Sequence, residues 1–462
     1  MHKTLVLLIV GLTPRLMGAA TPNLSAFAAR GGLRRLDTVE PAVTCTVQST
    51  LLTGLPPAGH GAVANGWYFR DSAEVLLWRQ SNKLVAGEKV WDAGRKRDAA
   101  FTCANMFWWY NMYSTVDFSA TPRPMYPADG RKLPDHYAEP PELHDELNAL
   151  LGPFPLFSFW GPATNISSSQ WIARATQHVR RTRKPTLTLC YLPHLDYGLQ
   201  KWGPNPADPR VARDLMEIDQ LAGELIDEAE RQGDRVIVVS EYGIVPVREA
   251  IHINRALRQA GLIRVRPEEH GREILDAGAS RAFALADHQL AHVYLQHGAN
   301  VGEVKALIEG IDGVAEVLDT DGKRQRGLDH DRSGELVAVA KPDRWFSYYW
   351  WLDDSKAPDF APTVDIHRKP GYDPMELFLD PELSFPKLRI GRRLIARKLG
   401  FRNLLDVIPI RGTHIVKGSH GLINSDPDDA PVVISSQADL LPDGAVSATA
   451  FKALMLDHVF SD

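Results

Sequence analysis

Short apolar runs rich in branched residues alternate along this chain with segments whose apolar positions recur every three or four residues. That alternation predicts a mostly parallel sheet covered by helices. The clearest unit is central. Thr186 to Tyr191 reads as a strand, and from Pro209 onward Val211, Leu215, Ile218, Ala222, Leu225 and Ala229 share one helical face. Gly233 stops that helix, and Val236 to Val239 is the next buried strand. Open α/β sheets gather ligands at the carboxyl ends of their strands, so the loops 192–204 and 240–246 are expected to face one crevice.

The N-terminal run Thr4 to Val10 has two readings. Met1-His2-Lys3 ahead of it and Gly18-Ala19-Ala20 behind it imitate a short signal peptide. The competing reading is a buried parallel strand stopped by Gly11 and followed by a helix at Thr21-Pro22-Asn23-Leu24. No other apolar run approaches the ~20 residues that a membrane span needs. Two regions break the alternation. Residues 66–150 carry many aromatic, Pro and Asp residues with weak periodicity, which predicts a loop-rich cap. Residues 266–400 predict an inserted α+β lobe, with a helix from Val301 to Gly310 and strands at Val314 to Leu318 and Glu335 to Val339. The core domain is then 1–265 together with 401–462.

A chain of 462 residues exceeds what one hydrophobic core usually organises, which fits a large domain with an insertion. The formal net charge of -5 gives no electrostatic footprint for a nucleic-acid polymer or an anionic membrane, so any phosphate binding is local. Cys45, Cys103 and Cys190 form no C-x-x-C pair and leave one cysteine over, which points to a reducing, cytoplasmic compartment.

The segment from Thr44 to Asn65 reads TCTVQSTLLTGLPPAGHGAVAN, with a Thr opening a helix, then Thr53-Gly54-Leu55-Pro56, His60-Gly61 and Asn65. It resembles the nucleophile segment of the type I phosphodiesterase / nucleotide pyrophosphatase branch of the alkaline phosphatase superfamily. The resemblance implies a three-layer α/β/α domain and a Thr44 nucleophile attacking a phosphoryl centre. It also implies Asn65 as an oxyanion donor and a pair of divalent metals, zinc foremost, with manganese or iron as alternatives. A hydroxyl needs such activation at neutral pH. Read without the resemblance, Thr44 is a helix cap and Asn65 a turn residue after His60-Gly61.

The metal-binding positions that the resemblance implies are only partly filled. The first carboxylate falls on Val10, a histidine falls on Gln200 and another on Tyr242; Asp196, Glu241 and His420 remain. Neutral amide and phenol oxygens are poor zinc ligands beside imidazole and carboxylate, so a standard pair of tight sites is not expected. Asp365 and His367, flanking a turn, are the residues best suited to rebuild a site. His194, Asp287, His288 and His292 read more simply as hydrogen-bonded loop or strand residues. His60 is expected to fix the turn after the nucleophile helix. Phe107 to Tyr113 and Trp345 to Trp351 read as core aromatics, with base stacking as the alternative. Arg123, Arg131 and Lys132 read as a solvated loop, or as partners for a phosphate.

The expected activity is therefore metal-dependent hydrolysis of a phosphodiester, nucleotide pyrophosphate or related small phosphorylated substrate. The alternative is a family member that has lost hydrolysis and binds a phosphorylated metabolite or a protein partner.

Overall fold

The computed structural model describes residues 1–128, 130–401 and 403–461, apart from the side chain of Arg397. A nine-stranded sheet forms its centre. In spatial order the strands are Val446–Ser447, Gly32–Asp37, Val432–Ser435, Arg235–Val239, Thr4–Ile9, Leu187–Leu192, Cys103–Met106, Phe118–Pro122 and His136–Glu139. The apolar N-terminal run is thus the strand Thr4–Ile9, parallel to both Leu187–Leu192 and Arg235–Val239. Every residue of it is buried. Helices cover the sheet, so strands in its middle lose both faces to solvent and read as continuous apolar runs. Each fully buried Leu, Val or Ile there contributes about 1.5–3 kcal/mol of burial free energy.

The central strand–helix–strand unit forms as its periodicity predicts. Pro209–Arg231 is one helix, started by Pro209 in its first turn and by the Asp208 side chain accepting from the Arg210 N–H. Its buried face includes Val211, Leu215, Ile218, Ala222, Leu225 and Ala229.

Residues 66–150 are not only a loop-rich cap. They supply three strands of the central sheet, Cys103–Met106, Phe118–Pro122 and His136–Glu139, and the helices Val90–Arg97 and Glu142–Leu151. These strands are four or five residues long and lie toward one edge, too short to impose a period on the sequence. A four-stranded antiparallel sheet forms a second body, ordered Ala282–Asp287, Leu290–Leu295, Leu336–Ala340 and Val314–Leu318, with the helix Val301–Glu309 beside it. Tyr348, Tyr349, Trp350 and Trp351 pack against one another in that body's core and are fully buried, which settles them as core aromatics.

Candidate functional site

Thr44 is the first residue of the helix Thr44–Thr53, which ends at Gly54 in a left-handed conformation that glycine adopts without strain. No side chain of the preceding residue caps this helix. Its start is satisfied from further along the chain instead: the Cys45 N–H donates to Asn65 Oδ1 at 3.0 Å. Asn65 is itself held by Asp287, which accepts from the Asn65 backbone N–H at 2.7 Å and from Nδ2 at 2.9 Å. His60 accepts at Nδ1 from the Ala62 N–H and contacts Thr50 Oγ1 through Nε2 at 2.9 Å, so it fixes the turn as expected.

The strand ends converge on Thr44. Leu187–Leu192 delivers the helix His194–Trp202 with Asp196, and Arg235–Val239 delivers Glu241 and Tyr242. Thr44 Oγ1 lies 3.2 Å from the Tyr242 hydroxyl, which donates to Asp196 Oδ1 at 3.3 Å. Because the phenol has a single proton and spends it on Asp196, Thr44 is the donor in the first contact. Gln200 Nε2 donates to Asp196 Oδ2 at 2.9 Å, and the Tyr372 hydroxyl donates to Gln200 Oε1 at 2.6 Å. Gln200 and Tyr242 are therefore joined in one hydrogen-bonded chain from Thr44 to Tyr372.

A column of rings stands beside that chain. Tyr242 stacks on His420 with centroids 3.6 Å apart and planes 6° apart; His420 lies 3.6 Å from His288, and His288 lies 3.6 Å from Tyr372. His420 Nδ1 donates to the Ala42 carbonyl at 2.7 Å, which leaves the lone pair on Nε2, 3.8 Å from Asp196 Oδ1. Burial pushes His420 down to about 3, so its ring is neutral.

Three carboxyl groups share the site. Burial raises Asp196 to about 7 against the hydrogen bonds from Gln200 and Tyr242, and raises Asp287 to about 7 against those from Asn65. Burial also pushes Glu241 well up. Neither Glu241 oxygen has a partner in hydrogen-bonding geometry, although Gln48, Thr44 and Tyr242 surround it.

Asp365 and His367 do not join this cluster. The Asp365 N–H donates to Glu376 Oε1 at 2.9 Å, and Arg368 lies 4.0 Å from its carboxylate. Burial lowers His367 to about 4, helped by Lys132, Arg79 and Arg123. The buried Lys369, paired with Asp373 and Glu376 at 2.7 and 2.8 Å, pins their loop facing that basic group. His194 likewise turns away, to within 3.1 Å of Glu217. His292 is a structural histidine, bonded to the Val63 carbonyl and the Gly334 N–H. Asp287, His288 and Tyr372 are the residues that sequence reasoning did not bring to the site. Asp287 reaches the nucleophile segment at Asn65, His288 reaches His420, and Tyr372 reaches Gln200, and no spacing within the chain encodes those approaches.

The family's metal pair does not fit these residues. Among the described residues, no three His, Cys, Asp or Glu ligand atoms gather at Thr44, and Tyr242 occupies the space between Thr44 and Asp196. A single cation fits better. The Nε2 lone pair of His420 is fixed toward Asp196 by the Ala42 carbonyl, the arrangement that orients metal-binding histidines, and the orphaned Glu241 has two oxygens without partners.

No curated protein sequence matches the chain. Phosphonoacetate hydrolase from Sinorhizobium meliloti 1021, solved with phosphonoacetate and with phosphonoformate, superposes with a TM-score of 0.63 at 16% identity, over 99% of this chain and 96% of that one. Murine ectonucleotide pyrophosphatase / phosphodiesterase 5 gives a TM-score of 0.59 at 15% identity, over 99% and 95%. The human protein of the same name gives 0.58 at 15%, over 99% and 94%. These likenesses establish the alkaline-phosphatase-like fold. The sequence pattern of the type I phosphodiesterase / nucleotide pyrophosphatase family matches residues 4–373, from the central strand to the loop that carries Tyr372, and the chain belongs to that family.

Proposed function

We propose that this chain hydrolyses a small phosphorylated substrate, a phosphodiester or nucleotide pyrophosphate, with Thr44 as nucleophile. The observation that carries the reading is the donor chain from the Thr44 hydroxyl through Tyr242 to Asp196, at the start of a helix whose first N–H groups favour a phosphoryl oxygen. Thr44 Oγ1 attacks phosphorus and expels the leaving alkoxide or phosphate oxygen, while its proton passes to the Tyr242 oxygen as the phenol proton moves to Asp196; water then cleaves the phosphothreonine, releasing the phosphate product and returning a proton to Thr44. Asp196 Oδ1, 3.3 Å from the phenol, is the acceptor for that proton, and its value near 7 is that of the cation-free site. Asn65 spends one amide hydrogen on Asp287, and its other is the donor for the developing oxyanion. A divalent cation, with zinc as the proposed ion and manganese or iron as alternatives, would be held by Asp196 and His420 with Glu241 nearby and would supply positive charge for the phosphoryl oxygens. The three cysteines are buried and free, which supports a reducing, cytoplasmic location.

Thr44→Ala tests the reading. With zinc added, wild type is expected to turn over an aryl phosphodiester and Thr44→Ala to fall to background, with melting shifted by no more than a few degrees for one lost neutral hydrogen bond. Equal rates would remove Thr44 as nucleophile. A second reading, a binder that has lost hydrolysis, is favoured by the closed bonding of Asn65 and by the rings packed where a metal pair would lie. It predicts no turnover by wild type, but a higher melting temperature with a nucleoside monophosphate.

A further inference from the structure

At the far edge of the central sheet, Asp135, His136 and His144 present ligand atoms that all lie within 4.8 Å of one another. Asp135 precedes the edge strand His136–Glu139, and His144 lies on the helix Glu142–Leu151 that follows it. We propose that these three side chains form a site for a divalent transition metal of the zinc class, separate from the Thr44 cluster. Oxygen and imidazole ligands of this number and kind suit zinc.

Two observations point to a ligand there. His136 is 2% exposed, and neither of its ring nitrogens has a hydrogen-bond partner; Nδ1 lies 4.0 Å from Asp135 Oδ1. A buried imidazole with no partner is costly unless something completes it. The second observation is the bonding of His144. Its Nδ1 lies 3.0 Å from Asp145 Oδ1, and its Nε2 lies 2.8 Å from Asp135 Oδ1 and 3.1 Å from Asn148 Nδ2. Both ring nitrogens of His144 face carboxylates, and a neutral imidazole has a single proton to give them. With the proton on Nδ1 held by Asp145, the Nε2 lone pair and Asp135 Oδ1 face the same point. This is the carboxylate–histidine–metal arrangement that fixes a ligand's tautomer. His136 lies against His144 on the buried side, 4.7 Å between ring centroids, with a ring nitrogen within 4.8 Å of the other two ligand atoms.

The competing occupant is a proton. Burial opposes charge on His144, but Asp145 and Asp135 outweigh it and raise its pKa. A proton on Nε2 would satisfy Asp135 and leave His136 orphaned, whereas a metal satisfies both. A metal here would also tie the sheet edge to the hairpin that Met125 and Leu133 close, since the Arg123 N–H donates to the Asp135 carbonyl. That hairpin carries Lys132, which faces Asp365 and His367.

The test is zinc binding by the full chain, purified without a metal-binding tag, loaded with zinc and dialysed. Elemental analysis of wild type is expected to show one equivalent more than His144→Ala, with His420→Ala still carrying the equivalent that His144→Ala loses. Asp145→Asn, on a side chain 89% exposed, removes no ligand and should weaken zinc binding about 10- to 100-fold, keeping the test sound if His144→Ala folds poorly. The proposal is overturned if His144→Ala and Asp145→Asn bind zinc as wild type does. It is equally overturned if the equivalent disappears only in Glu217→Gln, whose cluster with His194 and Asp214 is the other three-ligand group among the described residues.

Discussion

The two halves of the Thr44 site have diverged in opposite ways. The segment from Thr44 to Asn65 keeps the family's residues in order, yet in the folded chain Asn65 is bonded on three sides, to Cys45 and twice to Asp287. At the strand ends opposite, the resemblance implies a carboxylate at Val10 and histidines at Gln200 and Tyr242; the latter two make a connected network with Thr44, Asp196 and Tyr372. A matched motif preserves the position of a group, not its availability; a mismatched one can still be a coherent piece of chemistry.

The comparison breaks most easily at Asp287. Asp287→Ala removes two buried acceptors and leaves the Asn65 amide and N–H without partners, which is expected to destabilise the fold by about 2–4 kcal/mol in urea unfolding. A change under about 0.5 kcal/mol would show that Asn65 is not held from the second body. Tyr242→Phe sharpens the other half. It removes the hydroxyl between Thr44 and Asp196 while keeping the ring on His420, so stability should fall by only about 1 kcal/mol while turnover drops by more than tenfold. Turnover at the wild-type level would remove Tyr242 from the proton path.

A further test of the same half is pH dependence, measured in metal-free protein with chelator present. Asp196 titrates near 7 when folded, against about 3.9 in an unfolded chain, so between those values the folded state holds a proton that the unfolded state has released. Its contribution to stability is therefore full below about pH 4 and is lost as pH rises toward 7. His420, depressed to about 3, acts in the opposite sense, its contribution growing as pH rises toward about 6.5. The stability difference between wild type and Asp196→Asn isolates the first trend and should decline across that window. A flat difference would mean that Asp196 is charged in the fold throughout.

Much of the fold was legible because its signals are local. The strand Thr4–Ile9 and the helix Pro209–Arg231 are long enough for burial to stamp a period on the sequence, and the turn glycines mark their ends. The strands Cys103–Met106, Phe118–Pro122 and His136–Glu139 were not legible, because four or five residues near a sheet edge show no period that distinguishes strand from loop. Asp365 and His367 had the right chemistry for a ligand pair, but the ion cluster of Lys369, Asp373 and Glu376 turns their loop toward Lys132.

By itself the sequence determined the central strands Thr4–Ile9, Leu187–Leu192 and Arg235–Val239, the helix that presents Thr44, and the neutral residues Val10, Gln200 and Tyr242 where the resemblance implies metal ligands, because each of these is written in a short stretch of chain. Only the tertiary structure decided that Tyr242 reaches Thr44, that Asp287 holds Asn65 and that His288 and Tyr372 complete a ring column on His420. Those contacts join residues up to 222 positions apart, and what fixes them is the convergence of strand ends in the central sheet and the packing of the second body against it, which no local pattern records.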